Sequence, residues 1–230
     1  MTLTTYRDLE QGTDEWLQLR NGIITASEMN LILTPTLKPA NNDKTRAHVW
    51  EIAAQRINGY TEPSFIGDNG HRGHADEFIA RQLYSERVEP VEEIGFYVRD
   101  FGGFKIGYSP DGSAIISNGG IECKSRKMKF QTEVIVKNEV PTEHMLQVQT
   151  GLLVTGWDWM DYVSFCGGMP MWVIRVESDP IYQAAIIEAA SCFEAKVTEQ
   201  IAAYTDRLAG VELIETERLV NREFDDGNYE

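Results

Sequence analysis

Cysteine is scarce in this chain: Cys123, Cys166 and Cys192 are the only three in 230 residues, and they lie far apart. They make neither a CxxC zinc pattern nor a disulfide framework, so a reducing, cytoplasmic setting is expected. Long apolar runs are missing as well. Stretches such as 151–155 and 184–187 are far too short to cross a bilayer, which removes a membrane partner. The opening MTLTTYRDLEQGTDEW lacks the basic and apolar regions of a secretory signal. No P-loop lysine motif, GxGxxG or GxSxG occurs, leaving ATP-driven, dinucleotide-dependent and serine-hydrolase chemistry without support.

Positive charge is also short. Lys and Arg number 21 against 36 Asp and Glu, a formal net charge of −15. The average field of such a surface repels a polyanion. A nucleic-acid partner therefore requires concentrated positive charge and metal ions that neutralise the acids it meets. One concentration exists, because Lys124, Arg126, Lys127 and Lys129 fall within six residues. A solvated loop accounts for it equally well.

What is present is an ordinary globular composition, 42% hydrophobic and 25% charged, enough for a sizeable core. The simplest organisation is one domain over residues 1–230, with an acidic, weakly periodic tail from 209 to 230. Thr13 is placed to cap a helix over 14–20 that Asn21-Gly22 closes. Thr25-Ala-Ser-Glu28 reads as a capping box opening a second helix toward Leu33. Residues 34–46 read as a loop, about 47–57 as a helix, 59–73 as loop-rich, and 75–86 as a helix turning Phe78, Ile79, Leu83 and Tyr84 inward. From Glu89 the period shifts toward two, with short strands expected over 95–99, 105–108, 113–116 and 120–124. A helix over 142–155, a strand pair over 161–165 and 171–176, and a long helix from Pro180 to Leu208 follow. These elements predict an α/β fold with one central mixed sheet flanked by helices.

The segment KIGYSPDGSAIISNGGIECK, residues 105–124, carries the strongest chemical pattern. Asp111 lies in a turn, and Glu122 and Lys124 are two apart. On neighbouring strands the two acids would meet at one edge, and Glu122 and Lys124 would share a face. Taken alone, SPDG is an ordinary surface turn, and glutamate and lysine are common on edge strands. Hard oxygen donors favour Mg²⁺ or Mn²⁺ over zinc. Asp111, Glu122 and the backbone carbonyl of Cys123 could hold one ion, and Glu77 could add a carboxylate for a second. Two such ions suit phosphodiester hydrolysis, with Lys124 orienting or deprotonating the attacking water. His71 and His74 have no partner cysteines nearby and read as polar loop residues. Trp157 and Trp159 read as core or subunit-interface residues.

Glu77, Ser109-Pro110-Asp111, Glu122-Cys123-Lys124 and His144-Met-Leu-Gln147-Val-Gln149, together with LRNGIITASE near the start, resemble the lambda-type exonucleases, also called YqaJ-like viral recombinase nucleases. These belong to the restriction-endonuclease-like PD-(D/E)xK superfamily. The resemblance runs in order from Trp16 to about Val176. It implies a restriction-endonuclease-like core and a Mg²⁺-dependent 5′→3′ exonuclease that degrades one strand of linear duplex DNA. It also implies a homotrimeric ring and a single-strand annealing partner in phage-type recombination. Asp111, Glu122 and Lys124 take the catalytic positions, with Glu77 and Gln147 beside them. Arg20, Ser27 and Ser109 match a 5′-phosphate pocket; without the resemblance, Arg20 reads rather as a surface residue of a structural helix–turn–helix. On a helix His144 and Gln147 share a face from which Gln149 turns away. The family commonly has tyrosine where this chain has His144. An endonuclease of the same superfamily, or a non-catalytic DNA-end-binding scaffold, is the alternative.

Overall fold

In the computed structural model, residues 1–62 and 68–218 are described, apart from the side chains of 68–71. The last twelve residues of the acidic tail and the His71 side chain lie outside that set. The chain runs β1 (Thr2–Tyr6), α1 (Asp14–Arg20), β2 (Ile24–Thr25), a 3₁₀ turn (Ala26–Glu28), α2 (Met29–Ile32), α3 (Asp43–Asn58) and α4 (Asp68–Arg87). Strands β3 (Val91–Glu92), β4 (Phe96–Asp100), β5 (Lys105–Tyr108), β6 (Gly112–Ala114) and β7 (Gly119–Ser125) follow. Helices α5 (Met128–Lys137) and α6 (Thr142–Thr155), strands β8 (Trp159–Phe165) and β9 (Trp172–Glu177), and α7 (Pro180–Leu208) complete it.

The α/β class is as expected, but the strands form two sheets where one was anticipated. One has the order β1-β4-β5-β2 and the other β3-β6-β7-β8-β9. Both are mixed: β2 runs parallel to β5, and β7 parallel to β8. The β7–β8 crossover is made by α5 and α6, since parallel neighbours need a long return path. Helix α6 packs against β4, β5, β8, α2 and α7, so it binds the two sheets together. Its approach depends on Gly151, where a Cβ would stand 2.6 Å from the Met160 methyl and 2.9 Å from the Tyr108 ring.

Several boundaries follow the local chemistry read from the sequence. The Thr13 hydroxyl accepts from the Trp16 N–H, α1 ends at Arg20, and Gly22 takes the positive φ of +69°. Glu28 closes its box by accepting from the Thr25 N–H at 3.1 Å. Helix α6 spans Thr142–Thr155 and stops at Gly156, φ +74°. Trp157 and Trp159 are buried. Other expectations give way. Helix α3 begins at Asp43, inside the anticipated loop, because Asn42 accepts from the Thr45 N–H at 3.0 Å. Helix α4 begins at Asp68 and carries Gly70 and Gly73 through its first turns, although each costs about 1 kcal/mol against alanine.

Phe78 and Ile79 do not face inward: they are 60% and 44% exposed, whereas Tyr84 is fully buried and Leu83 partly so. Strand β6 stops at Ala114, leaving Ile115 and Ile116 exposed. The basic segment is only partly a loop, with Arg126 and Lys127 in the two-residue connection. Lys124 and Ser125 finish β7, and Met128 opens α5. Under α4, a smaller apolar cluster unites Ala80, Tyr84, Ile121, Cys123, Val163 and Phe165. Full burial of a side chain such as Ile121 is worth ~2–3 kcal/mol, and this cluster seats α4 on the strands that carry the acids.

Candidate active site

The site forms where the β5–β6 turn crosses the end of β7. Strands β6 and β7 pair antiparallel with Gly112 opposite Ile121, so the next residues outward, Asp111 and Glu122, face one another. Pairing stops there. The N–H of Cys123, left without a strand partner on that side, donates to Asp111 Oδ2 at 2.6 Å. The Cys123 carbonyl leaves the strand on the same edge as its N–H, beside Asp111.

Glu122 is 1% exposed and holds three partners. Lys124 Nζ donates to Oε1 at 2.6 Å, Gln147 Nε2 donates to the same oxygen at 2.5 Å, and the Tyr108 hydroxyl donates to Oε2 at 2.8 Å. The helical spacing has the predicted result. Gln147 reaches the acid, while Gln149 bonds Glu177 O and Asp179 N on another side. Glu77 stands on α4 within the electrostatic reach of Asp111, Glu122 and Lys124, but shares no hydrogen bond with them among the described residues. Arg81, one turn further along α4, donates to the Asp111 carbonyl at 2.9 Å.

Burial, then the charges of Glu122 and Glu77, push the Asp111 carboxyl well above the usual carboxylate range. Glu77 is raised chiefly by burial as well. Burial by itself works against the Lys124 ammonium, yet Glu122 and Asp111 outweigh it and hold its pKa above the ordinary lysine value. Burial and the same acids keep the Cys123 thiol and the Tyr108 hydroxyl protonated.

Three crowded acids with one ammonium make a donor set short of positive charge, which fits a hard cation. Among the described residues no three His, Cys, Asp or Glu side chains close into a cage.

The amino-terminal residues approach from the second sheet. Strand β2 lies parallel to β5 with Thr25 opposite Gly107, which sets the Ala26–Glu28 turn beside Ser109. Ser27 shares a cavity of about 280 Å³ with Asn30, Lys124, His144 and Gln147. Trp16 brackets the other two residues: its Nε1 donates to Ser109 Oγ at 2.9 Å, and the Arg20 guanidinium lies 4.0 Å over its ring. Arg20 makes no ion pair among the described residues, and burial lowers its pKa against the opposing charge of Glu28. It does not line the Ser27 cavity and touches Ser109 only through Trp16.

Tyr108, Trp16 and the Arg126–His144 contact described below were not singled out from sequence. Tyr108 alone carried a signal, as the inward residue of KIGY whose hydroxyl needs a partner once buried.

Residues 15–158, well over half the chain, match the YqaJ-like viral recombinase domain. An alkaline exonuclease from Laribacter hongkongensis, LHK-Exo, superposes with a TM-score of 0.75 at 28% identity, covering 86% of this chain and 98% of its own. The same enzyme in complex with dAMP gives 0.74 and 29% over the same shares. A phage-related exonuclease from Haemophilus somnus 129PT, at 13% identity and TM-score 0.58, covers 79% of this chain and 96% of its own and shares the fold. Curated proteins provide no match. The chain thus belongs to the YqaJ-like viral recombinase domain family, among the lambda-type exonucleases of restriction-endonuclease-like fold.

Proposed function

We propose that this chain is a metal-dependent deoxyribonuclease that digests one strand of linear duplex DNA in the 5′→3′ direction, leaving 3′ overhangs for phage-type recombination. The observation that carries the reading is the meeting of Asp111, Glu122, Lys124 and Gln147 in one buried cluster beside an open cavity. Family membership and the likeness to an alkaline exonuclease support a nuclease.

Asp111, Glu122, the Cys123 carbonyl and Glu77 would hold Mg²⁺, two ions per site, with Mn²⁺ as a substitute. When bound, such ions supply charge to the phosphate and acidity to a water. Gln147 and Tyr108 fix the Glu122 carboxylate by donating to its two oxygens. Lys124, bonded to Glu122 within the cluster, is suited to orient or deprotonate the attacking water. Arg20, Ser27 and Ser109 receive the 5′-phosphate, and a half-buried arginine that makes no ion pair among the described residues is suited to that anion. The reading extends to one nuclease domain over 1–230, a homotrimeric ring, a single-strand annealing partner and a cytoplasmic location. No helix among the described residues is long and apolar enough to cross a membrane.

Incubation of 5′-labelled linear and covalently closed duplexes with Mg²⁺ or EDTA tests the proposal. Degradation of linear DNA alone, dependent on Mg²⁺, is expected. Cutting of closed circles would establish an endonuclease, and cutting of neither a scaffold. Arg20→Ala is expected to erase a preference for 5′-phosphorylated over 5′-hydroxyl ends, worth ~10-fold or more for hydrogen bonds to a charged group; equal loss on both substrates would assign Arg20 to folding or general affinity.

A further inference from the structure

The basic run at 124–129 divides in the fold. Lys124 enters the acidic cluster, Lys127 and Lys129 start α5 on the surface, and Arg126 turns inward, its side chain only 10% exposed. Its partners are unusual for a buried guanidinium. One nitrogen, Nη1, serves both His144 Nε2, at 2.6 Å, and Glu143 Oε1, at 3.0 Å. Nε is buried with no acceptor among the described residues. Burial, with Lys124 and Arg126 nearby, lowers the His144 pKa to about 4, so the imidazole is neutral and brings no countercharge. Among the described residues Glu143 is the one carboxylate on the guanidinium, and its side chain is 64% exposed.

Arg126 and Glu143 line a cavity of about 340 Å³ against the first turn of α6, which Glu139 and the Lys137–Glu133 ion pair also border. Glu143 also borders the Ser27–Lys124–Gln147 cavity, so the two spaces adjoin. The free N–H groups of a helix start favour an anion. Tyr162 stacks on the His144 ring at 5.7 Å, its hydroxyl also buried without a partner among the described residues.

We propose that Arg126, with the start of α6, is a phosphate-binding subsite next to the catalytic cluster, in which Glu143 occupies the anion's place until a phosphate displaces it. A guanidinium offers a fork of donors that a phosphate can bridge, whereas Glu143 takes a single bond from it. An exposed carboxylate gives up its bond at little cost, and moving it away also removes a charge that repels DNA. The ligand is a phosphate monoester or diester, either on the bound strand or on a released mononucleotide. This inference rests on the nuclease reading for its occupant, not for its geometry.

Binding measured without turnover tests it. The full chain is titrated in Ca²⁺ with deoxyadenosine 5′-monophosphate by calorimetry, and with a 5′-phosphorylated duplex by fluorescence anisotropy. Arg126→Ala is expected to weaken binding about tenfold, Arg126→Lys to recover only part of it, and Glu143→Gln to tighten it severalfold. Weakening on both probes assigns the subsite to a terminal phosphate, and weakening on the duplex alone to an internal one. Unchanged affinity on both overturns the proposal, as does failure of the native chain to bind either probe. Should Arg126→Ala not fold by circular dichroism, Glu143→Gln decides, and unaltered affinity in that variant refutes displacement. A chain with Arg126-dependent binding that cuts no DNA would sink the nuclease reading and leave this subsite standing. Cleavage with Arg126-independent binding would do the reverse.

Discussion

Two acids are buried back to back on neighbouring strands, and their surroundings set them apart. Ile121 on β7 pairs with Asp161 on β8, and Glu122 with Tyr162, so Asp161 and Glu122 point to opposite faces of the sheet. Asp161 is 2% exposed and Glu122 1%. Each accepts from a tyrosine, Tyr84 at 2.7 Å and Tyr108 at 2.8 Å. Each has one basic side chain. Asp161 is nevertheless saturated, since Arg175 grips it with two nitrogens at 2.9 and 3.0 Å and covers Trp159. Glu122 shares its lysine with Asp111 and Glu77, and its partners Lys124 and Gln147 line a cavity. Burial and hydrogen bonding are alike in the two places; the charge left uncompensated distinguishes the proposed catalytic acid from a clamp.

The largest effect that could break this comparison lies in turnover. Lys124→Ala is expected to lower Mg²⁺-dependent hydrolysis by ~10²–10⁴-fold while leaving metal-dependent DNA binding largely intact. Near-normal turnover would remove lysine from the mechanism.

Stability should respond in the opposite place. Asp161→Ala strands the buried Tyr84 hydroxyl, whereas Arg175, half exposed, can still turn to water. A loss of about 2–3 kcal/mol in denaturant unfolding is expected, mainly from the unsatisfied hydroxyl. Glu122→Gln keeps an acceptor for Tyr108 and should change stability by less than about 1 kcal/mol. Equal losses would make both acids structural.

The acids and their lysine were legible because strand alternation and a tight turn fix them locally. Pro110, Asp111 and Gly112 specify the turn, and the two-residue period puts Glu122 and Lys124 on one face. The 3.6 period separated Gln147 from Gln149 in the same way. What remained hidden depends on tertiary contact. Phe78 and Ile79 have the spacing of an inward face, but α4 is anchored through Ala80 and Tyr84 instead. Helix α5 lacks a capping side chain at Lys127, and its Val134-Ile135-Val136 run favours a strand by propensity. Two sheets replace one because β4 and β5 pair with β1 and β2, segments of five and two residues too weakly patterned to announce partners. The Arg126–His144 contact joins positions 18 residues apart across the crossover.

Metal dependence sharpens the contrast without relying on activity. A ligand at ten times its Kd stabilises the native state by about 1.4 kcal/mol. Mg²⁺ is expected to raise the Tm of the native chain and EDTA to cancel the rise. Asp111→Asn should abolish the shift, whereas Asp161→Ala, though less stable, should keep it. A shift that survives in Asp111→Asn would place the ion elsewhere.

The smallest effect concerns pH and again divides the two faces, since the α6 side carries an imidazole against Tyr162. Burial, then Lys124 and Arg126, lowers His144 from 6.5 to about 4. The folded state therefore binds fewer protons than the unfolded chain between those values. Its contribution is complete above pH 6.5, declines as pH falls, and is fully lost near pH 4. At pH 6 the decline amounts to about 1 kcal/mol on this linkage. His144→Phe, which leaves a ring on Tyr162 but removes the titration, should flatten the stability profile between pH 7 and 5 relative to the native chain. The readout is the slope against pH, because the substitution also takes an acceptor from Arg126 and shifts absolute stability at every pH. A slope identical to that of the native chain would mean that His144 titrates in the fold as it does in the unfolded chain. Below its ordinary value the Glu122 face would then carry one more positive charge than its neighbours imply, and the deficit that separates it from Asp161 would shrink accordingly.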